Sequence, residues 1–486
     1  MSSVLFALEI EEIFAVSLSA DALLSPTGSL KKWSQLIEKA QSGESDRPNF
    51  ESVHGSDTTA VHSKDLSLDK FIDAQTLDAA NQLPSVGQEA KTVLLTGGNG
   101  FLGHIVCLEW LEKLAAVNGK LICLIRGSNN SEARKRLDAA FSGVDPKLEQ
   151  RYQQLAEQHL EVLAGDAGEH QLGLNDADYA RLSQQVDRIS HVAALVNHRL
   201  SYQHLFVPNV VGTAEIIKLA ITTQKKTVDF VSTEAVMTLG LTLTPDEDAA
   251  LSESANIGDF YVVGYGTSKW AGEYLLQQAQ QQFGLAVNTF RGDMMLTDER
   301  YTGQINDSDM FTRIIYSVAI TGLAPYSFYR INQDGSKASA HYDGTPVNVV
   351  AATVCGVDDN TSEYRTFNIC NYHHDDGCSL DTFVDAIESA GFAINRIQDY
   401  KQWLERFTDK LNTLPEQQRK QSALEILPAF ASAAPAVLHQ VGSEHFQALV
   451  PSLTDGKGVP HLDEDYIHKC LRDLAALGLL SDAITV

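Results

Sequence analysis

The chain has 486 residues, of which 44% are hydrophobic and 21% charged, as in soluble globular proteins of two or three domains. Its 37 Lys and Arg against 63 Asp and Glu give a net charge of −26, which argues against nucleic acids and anionic membranes as partners. The sequence has no signal peptide and no apolar run near the roughly 18 residues of a membrane helix, so we expect a cytoplasmic protein.

The first 67 residues are not expected to fold alone. Residues 4–14 and 28–40 have the spacing of two short amphipathic helices, which is too little chain to bury an independent core. Residues 43–67 are rich in Ser, Asp, Thr and Gly without a period, which predicts a flexible linker. We therefore expect removal of residues 1–60 to leave activity nearly unchanged. Residues 68–83 are predicted to be a helical lead-in to the next domain.

A glycine-rich turn lies between a buried strand, predicted at residues 92–95, and a helix, predicted at residues 101–114. Such a strand, turn and helix form a cradle in which backbone N–H groups approach a pyrophosphate. Two glycine registers fit the pattern, one starting at residue 98 and one at residue 97. The predicted cradle residues are Thr96, Gly97, Gly98, Asn99, Gly100, Phe101, Leu102 and Gly103.

Strands and helices alternate after this cradle. Further buried strands are predicted at residues 121–125, 160–163, 189–195 and 228–232, with helices between them. The alternation predicts an α/β fold with a Rossmann-type doubly wound parallel sheet over residues 68–296. Residues 297–486 are predicted to form a smaller, mostly helical C-terminal substrate domain, with the substrate in the cleft between the two domains.

The end of the second strand predicts which dinucleotide binds. NAD sites usually carry Asp or Glu there, whereas this strand ends in Arg126, with Arg136 shortly after it. A guanidinium can bind a 2′-phosphate bidentately, so NADP is favoured over NAD. Asp166, after the third strand, is either an adenine contact or a turn residue. Two small residues in the fourth predicted strand leave room beside the cofactor: Ala193 and Ala194.

A hydroxyl and a Tyr-x-x-x-Lys pattern supply candidate catalytic residues. Tyr265 and Lys269 are four residues apart and share one face of a predicted helix. The ammonium is expected to lower the pKa of the phenol and to bond the nicotinamide ribose. Thr233, at the end of the fifth strand, offers a second hydrogen bond to a carbonyl oxygen.

Other polar residues have both a structural and a functional interpretation. Asn209 is expected to support the central helix rather than to touch substrate, although it lies close to the cofactor. Asp293 either bonds the nicotinamide carboxamide or pairs with Arg291. The run HHDD at residues 373–376 and the six scattered cysteines lack metal-ligand spacing, so no metal site is predicted.

With these residues placed, the chain resembles extended short-chain dehydrogenase/reductases of the thioester-reductase type, and among them the reductase domain of bacterial carboxylic acid reductases. The resemblance runs from about residue 68 to residue 480. It rests on HVAALVNHRLSYQHLFVPNVVGTAEIIKLA, GYGTSKWAGEYLL, DMFTRIIYSVAITGLAP, HDDGCSLDTFVD and VPHLDEDYI.

The resemblance implies that NADPH reduces an acyl thioester, held on a phosphopantetheine arm, to an aldehyde with release of the thiol. It also implies that Thr233, Tyr265 and Lys269 are the catalytic triad and that Arg126 contacts the 2′-phosphate. Two rivals remain open. A nucleotide-sugar epimerase or dehydratase shares the cradle and the Tyr-x-x-x-Lys pattern, and a non-catalytic NADP-sensing regulator shares the fold but typically lacks that pattern.

Residues 1–42 resemble the back part of an acyl-carrier domain. The carrier's Gly-Gly-Asp-Ser attachment motif is missing, and neither Ser2 nor Ser3 follows an acidic residue, so neither is expected to bear the arm. The thioester is therefore expected to arrive on a carrier domain of a larger enzyme. An adenylation domain of that enzyme would activate the free acid, and the chain resembles an excised fragment of it.

Overall fold

The computed structural model describes residues 34, 47–56, 58–86, 89–258, 262–307, 309–358, 362–373, 377–436 and 441–480. Apart from residue 34, the carrier-like segment 1–42 and its two predicted helices lie outside the described residues.

Strands and helices alternate along most of the described chain. Its strands are β1 (Ala60–His62), β2 (Thr92–Thr96), β3 (Lys120–Ile125), β4 (Leu160–Ala164), β5 (Arg188–His191), β6 (Thr227–Thr233), β7 (Ser254–Asn256), β8 (Val287–Gly292), β9 (Met294–Leu296), β10 (Leu323–Pro325), β11 (Gly344–Pro346), β12 (Tyr364–Ile369) and β13 (Asn395–Ile397). Its α-helices are α1 (Phe50–His54), α2 (Ala74–Ala80), α3 (Phe101–Ala116), α4 (Asn130–Phe141), α5 (Pro146–His159), α6 (Asp176–Gln185), α7 (Tyr202–Leu205), α8 (Gly212–Ala220), α9 (Ala235–Thr238), α10 (Val263–Phe283), α11 (Met310–Thr321), α12 (Val347–Gly356), α13 (Leu380–Ser389), α14 (Tyr400–Asn412), α15 (Glu416–Gln421), α16 (Glu444–Leu453) and α17 (Glu464–Ala476).

A seven-stranded parallel sheet organises the fold, in the order β12-β8-β6-β5-β2-β3-β4. The interiors of β2 and β3 are apolar on both faces, as is usual for buried parallel strands. β8 is equally buried but carries the polar residues Asn288 and Arg291. One face packs against α8 and α10, and the other packs against α3 and α12. The predicted doubly wound sheet is confirmed.

The C-terminal half of the chain does not separate from this sheet at residue 297 as predicted. β12 pairs with β8 at the edge of the sheet, and α12 and α16 share the apolar cluster that covers α3. A further cluster, built around α11, α13, α14 and α17, forms the smaller, mostly helical part. The sequence of this half is mixed and aperiodic, so the return of one strand to the main sheet was not visible in it.

The prediction of a flexible linker over residues 43–67 is wrong for its described part. Phe50 and Val53 of α1 are buried, and Phe50 makes edge contacts with the rings of Tyr202 and Phe206. β1 pairs antiparallel with β7, which precedes the helix of the candidate catalytic residues. The polar composition of the segment gave no sign that Phe50 and Val53 would be buried, because the partners of Phe50 lie about 150 residues further along the chain. In the predicted lead-in, helical structure covers only residues 68–70 and 74–80.

None of the described helices is long and apolar enough to cross a membrane. None of the six cysteines, all of which fall within the described ranges, forms a disulfide.

Candidate active site

The cradle forms where β2 passes into α3, and two of its glycines are sterically required. Gly97 has φ of 75°, and a Cβ there would lie 2.7 Å from the backbone nitrogen of Ala193. A Cβ on Gly103 would lie 1.9 Å from the carbonyl oxygen of Gly97. Gly100 caps α3 without a side-chain hydrogen bond, so the first-turn N–H groups of Phe101 and its neighbours point out of the helix end. This geometry fits a dinucleotide pyrophosphate, with Gly97 as the first glycine of the register.

Two arginines meet at the end of β3. Arg126 follows the strand directly, and Nη1 of Arg136 in α4 donates to the carbonyl oxygen of Arg126 at 2.9 Å. Arg134 instead pairs with Asp138 at 2.7 Å. Arg126 and Arg136 therefore remain the candidates for a 2′-phosphate, and the sequence prediction of this contact stays a prediction.

The loop after β4, where the adenine is expected, is braced by a residue that the sequence analysis missed. Asp166 accepts a hydrogen bond from the backbone of Gly168 through Oδ1 at 2.9 Å, which is the turn role considered for it. Arg47 donates to the carbonyl oxygen of Gly168 at 2.5 Å and pairs with Glu169 at 3.2 Å. No local pattern marks Arg47, because its partners lie about 120 positions away.

The loop after β5 is held from two sides. The backbone nitrogen of Ala193 donates to Oγ1 of Thr96 at 3.2 Å, which ties the predicted cofactor loop, with Ala194 next in it, to the cradle strand. The side chain of Asn209 accepts from the backbone nitrogen of Leu195 at 2.8 Å and donates to Oγ of Ser268 at 3.0 Å. These bonds agree with the supporting role expected for Asn209, and its proximity to the cofactor stays a prediction.

The candidate catalytic residues come together between β6 and α10. Thr233 ends β6, while Tyr265 and Lys269 lie in the first two turns of α10. Nζ of Lys269 donates to the carbonyl oxygen of Val231 at 2.7 Å and lies 6.0 Å from the Tyr265 ring centre. The trio therefore occupies the carboxyl end of the sheet, on the same edge as the cradle.

Burial sets the proton affinities of this pair. Desolvation lowers the pKa of Lys269 to about 7, against the opposing effect of the Glu273 carboxylate. Desolvation also raises the pKa of Tyr265 above its usual value, contrary to the expected lowering by the ammonium. The apolar neighbours of Tyr265, Leu200 and Leu205, disfavour a phenolate more than the lysine favours it. The phenol is thus held as a proton donor.

The start of α10 is strained and tightly packed. Val262 has φ of 74°, which is costly for a β-branched residue, and its backbone nitrogen donates to the carbonyl oxygen of His198 at 3.0 Å. A Cβ on Gly264 would lie 2.2 Å from the carbonyl oxygen of Leu200. These contacts fix Tyr265 against the loop that precedes α7.

Asp293 does not pair with Arg291, so that alternative is wrong. Arg291 instead donates to Glu273, at 2.7 Å from Nη2. Oδ2 of Asp293 accepts from Oγ1 of Thr345 at 3.0 Å and from the backbone nitrogen of Asn371 at 3.1 Å. Oδ1 is buried and has no hydrogen-bond partner among the described residues. A contact from Oδ1 to a carboxamide therefore stays open.

Two further carboxyl groups lie beside Asp293 and were missed from the sequence. Glu234 directly follows Thr233, and its backbone nitrogen donates to the carbonyl oxygen of Gly292 at 2.9 Å. Asp343 precedes β11 and lies 3.3 Å from Nε2 of His341. Burial, followed by repulsion from Glu234 and Asp343, raises the pKa of Asp293 well above its usual value. In the sequence, the position of Glu234 directly after Thr233 was the one feature that could have identified it as a candidate site residue.

Within the described ranges, no three His, Cys, Asp or Glu side chains are placed to hold a metal ion. Residues 374–376 of the HHDD run lie outside those ranges. The ring of His373 stacks on that of His461 at 3.7 Å between centres, and its Nε2 lies 2.7 Å from the carbonyl oxygen of Val459.

A comparison with known families agrees with this geometry. The family model described as "Male sterility protein", an NAD-binding model, matches residues 95–354, which is more than half of the chain. The chain belongs to the Male sterility protein family. Its nicotinamide-cofactor fold and its assignment as an oxidoreductase follow from this membership and from the relatives below.

This member of the Male sterility protein family is similar to carboxylic acid reductases. The one from Segniliparus rugosus is 44% identical over 99% of the chain, and the one from Mycobacterium tuberculosis is also 44% identical over 99%. The chain spans 41% and 42% of the length of these two relatives. The resemblance inferred from the motifs is confirmed.

Solved structures of reductase domains are also similar to this chain. The reductase domain of a nonribosomal peptide synthetase from Mycobacterium tuberculosis is 39% identical with a TM-score of 0.79, covering 87% of this chain and all of that one. The terminal R domain of the myxalamid pathway is 26% identical with a TM-score of 0.67, covering 86% and 99%.

Proposed function

We propose that the chain reduces an acyl thioester, carried on a phosphopantetheine arm, to an aldehyde with NADPH as cofactor. The observation that carries the proposal is the placement of Thr233, Tyr265 and Lys269 at one edge of the sheet beside a glycine cradle. Similarity to carboxylic acid reductases over 99% of the chain favours this reaction over the epimerase and regulator alternatives.

NADPH, when bound, supplies a hydride to the thioester carbonyl carbon. Thr233 and Tyr265 would donate hydrogen bonds to the carbonyl oxygen and stabilise the oxyanion that develops there. Lys269, held by the carbonyl oxygen of Val231, would orient the ribose hydroxyls. The tetrahedral hemithioacetal then releases the thiol and leaves the aldehyde.

The choice of NADPH rests on Arg126 after β3 and on Arg136, whose guanidinium donates to the backbone carbonyl oxygen of Arg126. The proposed partners rest on the relatives, whose length leaves room for further domains. We assign residues 1–42 to the back part of a carrier domain. The thioester would come from a carrier in the same larger enzyme, with an adenylation domain to activate the acid.

The test is a reduction assay with an acyl-pantetheine thioester, NADPH and aldehyde identification by mass spectrometry. We expect one aldehyde and one free thiol for each NADPH consumed. Tyr265→Phe should lower turnover by about two to four decades, as for loss of a general acid, and leave NADPH binding unchanged. Near-normal turnover of Tyr265→Phe would contradict the assignment of the trio.

A further inference from the structure

We propose that Glu234 is a further catalytic residue, the general acid that protonates the departing thiol. The proposal rests on the thioester reduction proposed above. It adds one residue, Glu234, and one step, the protonation of the departing sulfur. It starts from one observation: the fold places a carboxyl group next to Thr233, and this group has no hydrogen bond to the described residues.

The backbone fixes the position of Glu234 at the reacting edge of the sheet. Thr233 pairs with Gly292 in the register of β6 and β8, and the backbone nitrogen of Glu234 donates to the carbonyl oxygen of Gly292. On the far side of Glu234, α9 packs on the first turn of α10, where a Cβ on Gly266 would lie 3.3 Å from Cβ of Ala235. Glu234 thus lies between the carbonyl-binding Thr233 and the helix that carries Tyr265.

Glu234 lies within electrostatic range of residues from the C-terminal part of the chain, where the substrate is expected. It interacts electrostatically with Asp343 and His341, which precede β11, and with Asp293 after β8. We call Glu234, Asp293 and Asp343 the carboxyl cluster. The carboxyl of Glu234 forms no hydrogen bond with any residue in the described ranges, and the residue as a whole is half-buried.

The environment holds a proton on this cluster near neutral pH. Burial and the charge of Asp343 raise the pKa of Glu234 to about 7, against the opposing effect of His341. Oδ1 of Asp293 is buried without a partner in the described part of the chain, as expected for an oxygen in a group of like charges. Burial, followed by repulsion from Glu234 and Asp343, also raises the pKa of Asp293, so the cluster disfavours ionisation of both Glu234 and Asp293.

The proposed reaction needs such a donor. When the oxyanion of the hemithioacetal re-forms the carbonyl, the C–S bond breaks and its electron pair goes to sulfur. An alkyl thiolate, whose conjugate thiol has a pKa near 8.5, leaves more slowly than a less basic thiolate, and a proton donated to sulfur as the C–S bond breaks speeds its departure. Tyr265 and Thr233 are engaged with the oxygen, and Lys269 is engaged with Val231 and the ribose. Glu234 gives its proton to sulfur and regains one from solvent, so one proton is consumed for each thioester.

The experiment compares two thioesters of one acyl group, one with pantetheine and one with thiophenol. An aryl thiolate is less basic than the alkyl thiolate of pantetheine, so its departure gains much less from a proton donor. NADPH oxidation and thiol release are followed separately with the full chain and with Glu234→Gln. We expect the variant to release pantetheine 10²- to 10⁴-fold more slowly, with NADPH oxidation preceding thiol release, and to turn over the thiophenyl ester within about threefold of the parent.

Controls separate this role from a structural one. Glu253→Gln changes an exposed carboxyl group in the same segment between β6 and α10, and it should leave the turnover of both thioesters unchanged. Glu234→Asp keeps the acid and should retain part of the pantetheine release, which tests the role even where the glutamine variant is unstable. An equal loss on both substrates, or no loss on either, would overturn the role of Glu234. Failure of the parent chain to reduce the pantetheine thioester would instead overturn the proposed function.

Discussion

Arg291 at the end of β8 and Glu273 in α10 form a buried ion pair, with Nη2 2.7 Å and Nε 3.1 Å from the carboxylate. Both side chains are at most 1% exposed, and Oγ of Ser232 in β6 donates to the same carboxylate at 2.5 Å. Glu273 lies one helical turn beyond Lys269. The pair therefore fixes the helix that carries the candidate catalytic residues to two strands of the sheet.

We predict that Glu273→Ala lowers the free energy of unfolding by about 3–5 kcal/mol, because it leaves the Arg291 charge buried without compensation. Urea unfolding at neutral pH measures the change. The double variant Glu273→Leu, Arg291→Met removes both charges and should recover most of the loss. Equal destabilisation in the single and double variants would contradict the ion-pair explanation.

Removal of residues 1–60 should damage the protein, in contrast to the expectation from composition. It deletes the Arg47 contact to the loop after β4 and the buried Phe50 and Val53. Each buried apolar side chain is worth about 1.5–3 kcal/mol, so we expect a loss of several kcal/mol in unfolding free energy and weaker NADPH binding. The matched control removes residues 1–46 and keeps all three contacts. Equal stability of the two truncations would refute the prediction.

The cofactor preference is tested at Arg126. We predict that Arg126→Ala weakens NADPH binding by about 1.5–3 kcal/mol, the range for hydrogen bonds to a charged group, and leaves NADH binding nearly unchanged. Arg136→Ala should weaken NADPH in the same direction, because Arg136 holds the backbone of Arg126. Lys135→Ala, on an exposed neighbour, is the control. If the parent chain bound NADPH and NADH with equal affinity, the assignment of Arg126 as a 2′-phosphate contact would be wrong.

The sequence predicted the parts of this molecule that are local and periodic. The cradle is a strand, a turn and a helix within a dozen residues, and Tyr265 and Lys269 are fixed relative to each other by helical spacing. Both follow from rules that act over a few positions. The doubly wound parallel sheet also followed, because strands alternate with helices along the chain and βαβ connections are short and right-handed.

Long-range contacts escaped the sequence. Arg47 bonds the carbonyl oxygen of Gly168 in the loop after β4. β12 pairs with β8 in the main sheet although helices and short strands separate the two in sequence. Neither has a local pattern, because each depends on which surfaces remain uncovered once the sheet has formed. The pKa of Tyr265 was misjudged for a related reason. The spacing to Lys269 was visible, whereas the apolar burial that dominates the phenol was not.

The affinity for NADPH should fall as pH rises above 7. Lys269 binds the ribose hydroxyls only as an ammonium, and burial lowers its pKa to about 7, so the binding form is lost as pH rises through that value. The dissociation constant should therefore rise by up to tenfold for each pH unit between pH 7 and 9. Fluorescence titration of NADPH measures it. Lys269→Met should bind weakly with little pH dependence, and a parent with a flat profile would contradict the assignment.

Asp293 offers a test of what ends the reaction at the aldehyde. Its Oδ2 is held by Thr345 and Asn371, while Oδ1 is free among the described residues to bond the carboxamide of a nicotinamide ring. We expect this bond to keep the ring in its hydride-donating pose only when the thioester arm is also bound. Free aldehyde is then a poor substrate for the parent chain.

Asp293→Gly removes that link, so the variant should reduce added aldehydes to alcohols faster than the parent. Thioester reduction should stay within about tenfold of the parent, or ~1.4 kcal/mol. Asp293→Asn preserves the shape of the side chain and an amide oxygen near Thr345, and it should show a smaller gain. Turnover of a matched aldehyde and pantetheine thioester is measured for all three proteins, with thermal unfolding to confirm the fold. A parallel fall of both rates in Asp293→Gly would show that the carboxylate only braces β8 against β11 and β12.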